Sequence, residues 1–443
     1  MAGVTCKCPV GQFPFRDPVS NCATFALVVL QRHRFQVYWL GQTLSGFGDA
    51  FALVALPLLV LEATHSVAGM GLVSAAGVGA QVVTSLFSGN VVDRLDRRKL
   101  MLACDTGRAC VYGIVPIVWW LVGPSLPLLF AIVILGGAMS NVFSVAYMTA
   151  VPSLVSQDRL TSANARLQGS LALAYVFGSL GAGYLATAFG SVVALLIDAA
   201  TFLISAISLT LIRFDANVRP VEHGAERDYF GAGMRFLLRH RLLRAMTVML
   251  VILGLSGNMG VGAGITDLMI FYVKRELALE ANKVGLCVGL SALGAVLGAV
   301  LAPRVSRRFG SGSCFLSGSF VQAAGLLLIG ALHHFVAACI GGLLWGAGML
   351  LRGVPMHTLR QSLIPRDLLG RVTAISWMVI FGASAMGTAA VTRLAASWTA
   401  GTTLSGIGVG VAIIAAAALL SPIASESSKL GKHTLPSSIK TKN

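Results

Sequence analysis

The chain is 443 residues long, 56% hydrophobic and only 11% charged, with a formal net charge of +16 and a mean hydropathy of +0.81; an ordinary soluble domain carries about 25% charged residues. That composition excludes an aqueous enzyme, and at about 20 residues per crossing the length holds about a dozen membrane helices and no sizeable soluble domain. The 50 glycines suit closely packed membrane helices, whereas a β-barrel would read as short alternating segments.

In chain order, residues 1–35 read as an uncleaved cytoplasmic lead-in. The apolar stretch 22–30 is short and runs straight into the basic Gln31-Arg32-His33-Arg34, unlike a cleavable signal. Pro9, Pro14 and Pro18 interrupt a segment without helical period, so 1–25 is expected to be disordered. Twelve apolar spans follow, at 36–62, 68–91, 100–122, 127–149, 164–188, 191–212, 243–272, 284–302, 313–332, 335–354, 372–394 and 400–421. The polar stretch between spans six and seven divides the chain into an N-terminal six-helix unit (36–212), a linker (213–242) and a C-terminal unit (243–421). Within and beyond that linker, 229–244 places apolar residues at helical spacing between arginines and reads as an amphipathic interfacial helix. The tail 422–443 is polar and expected to be disordered.

With both termini inside, 29 of the 33 Lys and Arg lie on or next to the inner side, and only Lys274, Arg275, Lys283 and Arg393 fall outside. This asymmetry satisfies the positive-inside rule in a cell membrane. The net charge is then accounted for by topology and an anionic inner leaflet, and nucleic-acid binding loses its motivation. Cys6 and Cys8 form only a C-x-C pair, no C-x-x-C occurs, and no metal site is expected. Neither a G-x-x-x-x-G-K loop nor a Gly-x-Ser-x-Gly elbow is present, so no cofactor and no enzymatic chemistry are expected.

Asp93-Arg94-Leu95-Asp96-Arg97-Arg98, after span two, recurs 210 residues later as Pro303-Arg304-Val305-Ser306-Arg307-Arg308, after span eight. A second echo pairs Ser153-Leu154-Val155 with Ser362-Leu363-Ile364, one residue off that offset. Two matches at nearly one spacing imply a duplicated six-helix unit and a molecule of two bundles.

The stretch Gly89-Asn-Val-Val-Asp93-Arg94-Leu-Asp96-Arg97-Arg98-Lys99 resembles the signature loop of the major facilitator superfamily. Trp39-Leu-Gly-Gln-Thr-Leu-Ser45-Gly-Phe-Gly48-Asp49 and the segment from Pro152 to Asn164 resemble the branch of macrolide-efflux and enterobactin-exporter-like proteins. The likeness covers roughly residues 31–421. It implies an all-α integral membrane fold of twelve transmembrane helices in two six-helix bundles, working as a monomer. In span five, Gly178-Ser179-Leu180-Gly181-Ala182-Gly183 resembles the family's antiporter motif, although Ser179 stands where that motif has Pro. The second copy of the signature loop has lost both acids, since Pro303 and Ser306 stand in their places.

Asp49 lies about thirteen residues into span one, ~20 Å along the helix, where a carboxylate is costly and usually faces an ion pathway. Gln42, Ser45 and Asp49 recur at i, i+3 and i+7 and form one polar stripe. Proton coupling or substrate contact is one reading of Asp49, and a permanent bond to a neighbouring helix is the other. Gln81 in span two, Asn141 and Tyr147 in span four, and Asn258 and Asp267 in span seven are further candidates for a cleft wall. For Asp198 in span six a structural hydrogen bond is expected. The resemblance implies a gating latch at 89–99, in which Gly89 permits close approach, Asp93 reaches the opposite bundle, and Arg94, Arg97 and Arg98 pair with Asp96 and Asp105. Gly178, Gly181 and Gly183 would form a helix-packing hinge. The expected function is proton-coupled export of an amphiphilic small molecule, with uptake, facilitated diffusion or a non-transporting membrane scaffold as alternatives.

Overall fold

In a computed structural model, residues 18–151, 154–155, 160–212, 229–257, 264–365 and 368–419 are described. The expected linker up to residue 228, the tail, Asn258, and the side chains of Gly89, Asp93 and Arg94 lie outside the described residues. All secondary structure in the described part is helical. The first six spans are α1 (Pro18–Thr64), α2 (Val67–Arg94), α3 (Arg97–Leu121), α4 (Leu126–Ala150), α5 (Leu160–Phe189) and α6 (Ser191–Leu211). Then come α7 (Tyr229–Arg239), α8 (Arg241–Leu255), α9 (Ile265–Phe271) with a π-helical turn at Tyr272–Glu276, and α10 (Ala281–Phe309). The last four are α11 (Ser311–Ala331), α12 (Phe335–Leu363), α13 (Leu369–Ser397) and α14 (Ala400–Leu419).

Eleven of these helices are long and apolar enough to cross a membrane. The seventh expected span, 243–272, is not one helix: it is divided into α8 and α9, which together make the twelfth crossing. Gly254, Gly257, Gly260, Gly262 and Gly264 crowd this segment, and glycine is about 1 kcal/mol worse than alanine in a helix. Gly257 at φ 69° and Gly264 at φ 60° flank the break in left-handed backbone that a side chain would strain. The start of the chain also differs from expectation. The helix of span one begins at Pro18, not after residue 35, because the apolar 22–30 stretch continues its pattern. The amphipathic helix ends earlier than residue 244: α7 stops at Arg239 and His240 caps α8 by accepting from the Leu243 N–H at 3.3 Å. Leu237 and Leu243 pack with Ile364, Val372 and Ile375, so α7 is docked beneath α13 as well as amphipathic.

Packing repeats with the sequence. In the first half α2 packs on α4, α4 on α3, α3 on α6 and α5 on α1; in the second α10 packs on α12, α12 on α11, α11 on α14 and α13 on α8. The halves meet through two equivalent pairs, α2 with α13 and α5 with α10. Their closest approaches lie at the end opposite the basic loops. A Cβ on Gly183 of α5 would stand 2.7 Å from Gly285 Cα of α10, Thr187 Oγ1 accepts from the Asn282 N–H at 2.8 Å, and Arg275 meets His65 at 2.6 Å. The same end is capped by Glu276, which accepts from the N–H groups of Ala400 and Gly401 at the start of α14.

Candidate functional site: a charged hollow in the first half

A hollow of about 480 Å³ is lined by α1 to α5. All of its lining residues belong to the first half. Gln42, Ser45 and Asp49 present the expected stripe to it, and Gln81 and Tyr147 line other walls. Gln81, Ser144 and Gln168 are exposed polar residues along its mouth. Asn141 does not line the hollow; its α4 neighbours Ser140 and Ser144 do. Tyr147 is stacked between Tyr38, at 5.8 Å between ring centroids, and Phe143, at 6.4 Å.

The residue that organises the site is Arg108, eleven positions into α3 and only 2% exposed. In the sequence it counts simply as one of the 29 basic residues on or next to the inner side. Its guanidinium donates to Asp105 Oδ1 and lies 3.8 Å from Asp49 Oδ1. The rings of Phe202 and Phe143 hold it from two sides, at 4.1 Å and 4.5 Å, an arrangement worth most where water is excluded. Asp105 Oδ2 accepts from Ser205 Oγ at 2.7 Å, and Ser205 Oγ accepts from Gln42 Nε2 at 3.0 Å. A chain of polar contacts thus runs from α1 through α6 to α3. Asp198 of α6 closes it: a Cβ on Gly48 would overlap its carboxylate, next in sequence to Asp49, and both of its oxygens lack a hydrogen-bond partner. Three acids therefore surround one arginine. Of the three, Asp49 alone opens to the hollow, its side chain 37% exposed.

Two readings of the loop after α2 change. Asp105 is not a partner of the loop arginines, because it is fully buried beside Arg108 one turn before it on α3. Asp96 caps α3, accepting from the Lys99 N–H at 3.1 Å, and Arg98 donates to the carbonyls of Leu209 and Thr210 at the end of α6. These are the donors and acceptors that helix ends leave open, and both ties stay within the first half. Asp267 sits at the third position of α9, accepts from the Gly264 N–H at 3.2 Å, and faces the Ser74 hydroxyl of α2. It is part of the closed end and not of the hollow. Of the hinge glycines, Gly178 lies on α1 at Ala50, Gly181 faces the Phe51 ring, and Gly183 makes the contact with α10.

The family model of the major facilitator superfamily matches residues 38–388. The chain belongs to that superfamily. Curated relatives include the enterobactin exporter EntS of Salmonella typhi, 25% identical over 407 residues, spanning 89% of this chain and 94% of the relative. EntS of Escherichia coli O1:K1 / APEC is 24% identical over 402 residues, spanning 89% and 93%. Among solved structures, the nucleoside transporter NupG superposes with a TM-score of 0.69 at 13% identity, covering 87% of this chain and 98% of that one. A bacterial homologue of the iron transporter ferroportin, in its inward-facing state, gives 0.61 at 18% identity, covering 87% and 98%. As a major facilitator, the chain is a membrane transporter of small molecules and not an enzyme.

Proposed function

We propose that the protein exports an amphiphilic small molecule from the cytoplasm in exchange for protons, by alternating access. The observation that carries this is the cluster of Asp49, Asp105 and Asp198 around Arg108, with Asp49 exposed to the hollow. One guanidinium balances one carboxylate, and a buried excess of charge is expensive. Proton binding is the physical means of balancing the remainder, and Asp49 is where a proton from water would enter. Relatives that export enterobactin favour the outward direction. The likeness to a nucleoside transporter and to a homologue of an iron transporter bears on the fold alone.

The loops at the open end carry the basic residues, so we place that end and both termini in the cytoplasm. The described form is then inward-open, with the end between α5 and α10 sealed on the outside. In the opposite form, the loop around Asp93 would close the cytoplasmic end.

In proteoliposomes loaded with candidate amphiphiles, an imposed pH gradient is expected to drive flux through the native protein. Asp49→Asn should abolish that response while leaving protein yield and gradient-free counterflow within about twofold, because it removes the exchangeable proton and keeps the shape. Gradient-driven flux through Asp49→Asn at the native rate would overturn the coupling role. For orientation, a cysteine placed at Arg227, in a background without the 8 native cysteines, should react with an impermeant maleimide only after the cells are opened. Labelling in intact cells would invert the topology.

A further inference from the structure

The second half holds a hollow of its own, about 210 Å³, that the proton cluster does not touch. α12 packs on α10 and α11 and α13 on α2, α8 and α14, and the gap left between α12 and α13 is floored by Met246 and Leu250 of α8. Met349, Arg352, Met356 and Arg360 recur on α12 at steps of three and four, so one helix face brings two arginines to its wall. Arg352 is 2% exposed and donates to Gln322 Oε1 at 2.8 Å. Arg360 is 5% exposed, lies 5.0 Å above the Trp377 ring, and its buried Nε has no hydrogen-bond partner. Trp377 is stacked in turn between His357, at 5.0 Å, and Phe381, at 4.9 Å.

Arg108 in the first half has its acids. Arg352 and Arg360, among the described residues, have no carboxylate within 4.0 Å. Guanidinium groups at membrane depth are costly unless something pairs with them, and they match planar oxyanions with two parallel hydrogen bonds. Beside them, the column of Trp377 and Phe381 offers a flat apolar face, and the methionines can adjust to a variable shape. We infer that this hollow is a substrate subsite for an organic anion with an aromatic body, the acidic group held by Arg352 and Arg360 and the ring laid against Trp377 and Phe381. The inference deepens the export reading by naming the substrate class, and it rests on that reading for its purpose though not for the binding itself.

The test is equilibrium binding to the purified full-length protein without any gradient, using 1-naphthoate and its neutral isostere 1-naphthamide as probes. Naphthoate should bind at least about tenfold more tightly than the amide, the scale of one charge-assisted pair. Arg352→Gln and Arg360→Gln should each remove about tenfold of naphthoate affinity and shift the amide by no more than about twofold. Inorganic sulfate should compete only weakly, since it lacks the ring. Equal binding of acid and amide, or naphthoate affinity unchanged in both variants, would overturn the proposal. Tight sulfate binding with no preference for naphthoate would reduce the site to one for inorganic anions and overturn the substrate class. Should Arg352→Gln fail to fold, Arg360→Gln and the acid-to-amide ratio of the native protein decide alone. Failure of gradient-driven flux through the native protein, with its naphthoate binding preserved, would count against export and leave the subsite standing.

Discussion

Arg108→Gln is expected to be the most damaging single change in the membrane interior, abolishing transport and lowering thermal stability together. The substitution keeps some hydrogen-bonding capacity but removes the one positive charge that Asp105 and Asp49 share. Asp105 is fully buried, with Ser205 as its remaining donor. Removing one partner of a buried ion pair typically costs about 3–5 kcal/mol, because the other charge is left uncompensated. Two further losses add to it, the contacts of the guanidinium with the Phe143 and Phe202 rings. The diagnostic experiment is a double-mutant cycle. Asp105→Asn removes the stranded charge, so Arg108→Gln combined with Asp105→Asn should be less destabilised than the sum of the two single variants, by about 1–3 kcal/mol. Thermal unfolding of the purified proteins, followed by loss of the monodisperse peak, reports the cycle. Additive losses would mean that Arg108 acts through packing alone.

What could be read from the sequence, and what could not, follows from how each signal is written. Helices that cross a membrane announce themselves by all-round hydrophobicity, so eleven of the twelve spans lie close to where the sequence placed them. The stripe Gln42, Ser45 and Asp49 was legible because three polar residues at helical spacing stand out in an apolar run, and all three line the hollow. The duplication seen in two short loops reappears as a repeated order of helix packing. The break in span seven was hidden because glycine barely changes an apolar window, although five glycines in eleven positions carried the warning. Arg108, Arg352 and Arg360 were missed for a related reason. Each lies close enough to a basic loop to be counted with it, and nothing local distinguishes an arginine in a loop from one turned into a bundle. Their partners come from other helices: Ser205 bonds Asp105 across 100 positions, and Gln322 meets Arg352 from 30 positions away. Asp105 was assigned to the loop by the same nearness in sequence, and burial on α3 removed it from the loop's reach.

The contrast between the halves gives the duplicated fold a division of labour. The first half contains acids around an arginine and opens to the hollow through Asp49; the second contains two arginines that, among the described residues, have no carboxylate within 4.0 Å, beside an aromatic column. Substrate and proton would then occupy different halves, and what couples them is the motion of one bundle against the other. On the alternating-access reading that motion would pivot on the two contacts between halves, α2 with α13 and α5 with α10. The end these pairs seal is therefore where a small steric change should bias the whole cycle.

Gly183→Val is expected to open that end. A Cβ at position 183 would stand 2.6 Å from the Ala281 carbonyl oxygen and 2.7 Å from Gly285 Cα. Both are backbone atoms of a packed helix, and no rotamer change can move them aside. Overpacking of this kind costs about 1–3 kcal/mol, and here it falls only on the form in which α5 and α10 touch. The equilibrium should therefore move about five- to hundredfold toward the opposite form, since about 1.4 kcal/mol is a factor of ten. Spin labels at Ala188 and Lys283, on either side of the contact, should show a longer distance distribution, and turnover should fall because the sealed form is no longer revisited. Gly169 supplies the control on the same helix: nothing lies within 4 Å of a Cβ built there, so Gly169→Ala should leave both the distances and the flux unchanged. If the folded Gly183→Val protein kept the native distances, the α5–α10 contact would be passive packing, and the gate would have to lie in the α2–α13 pair, where Gly71 meets Thr392.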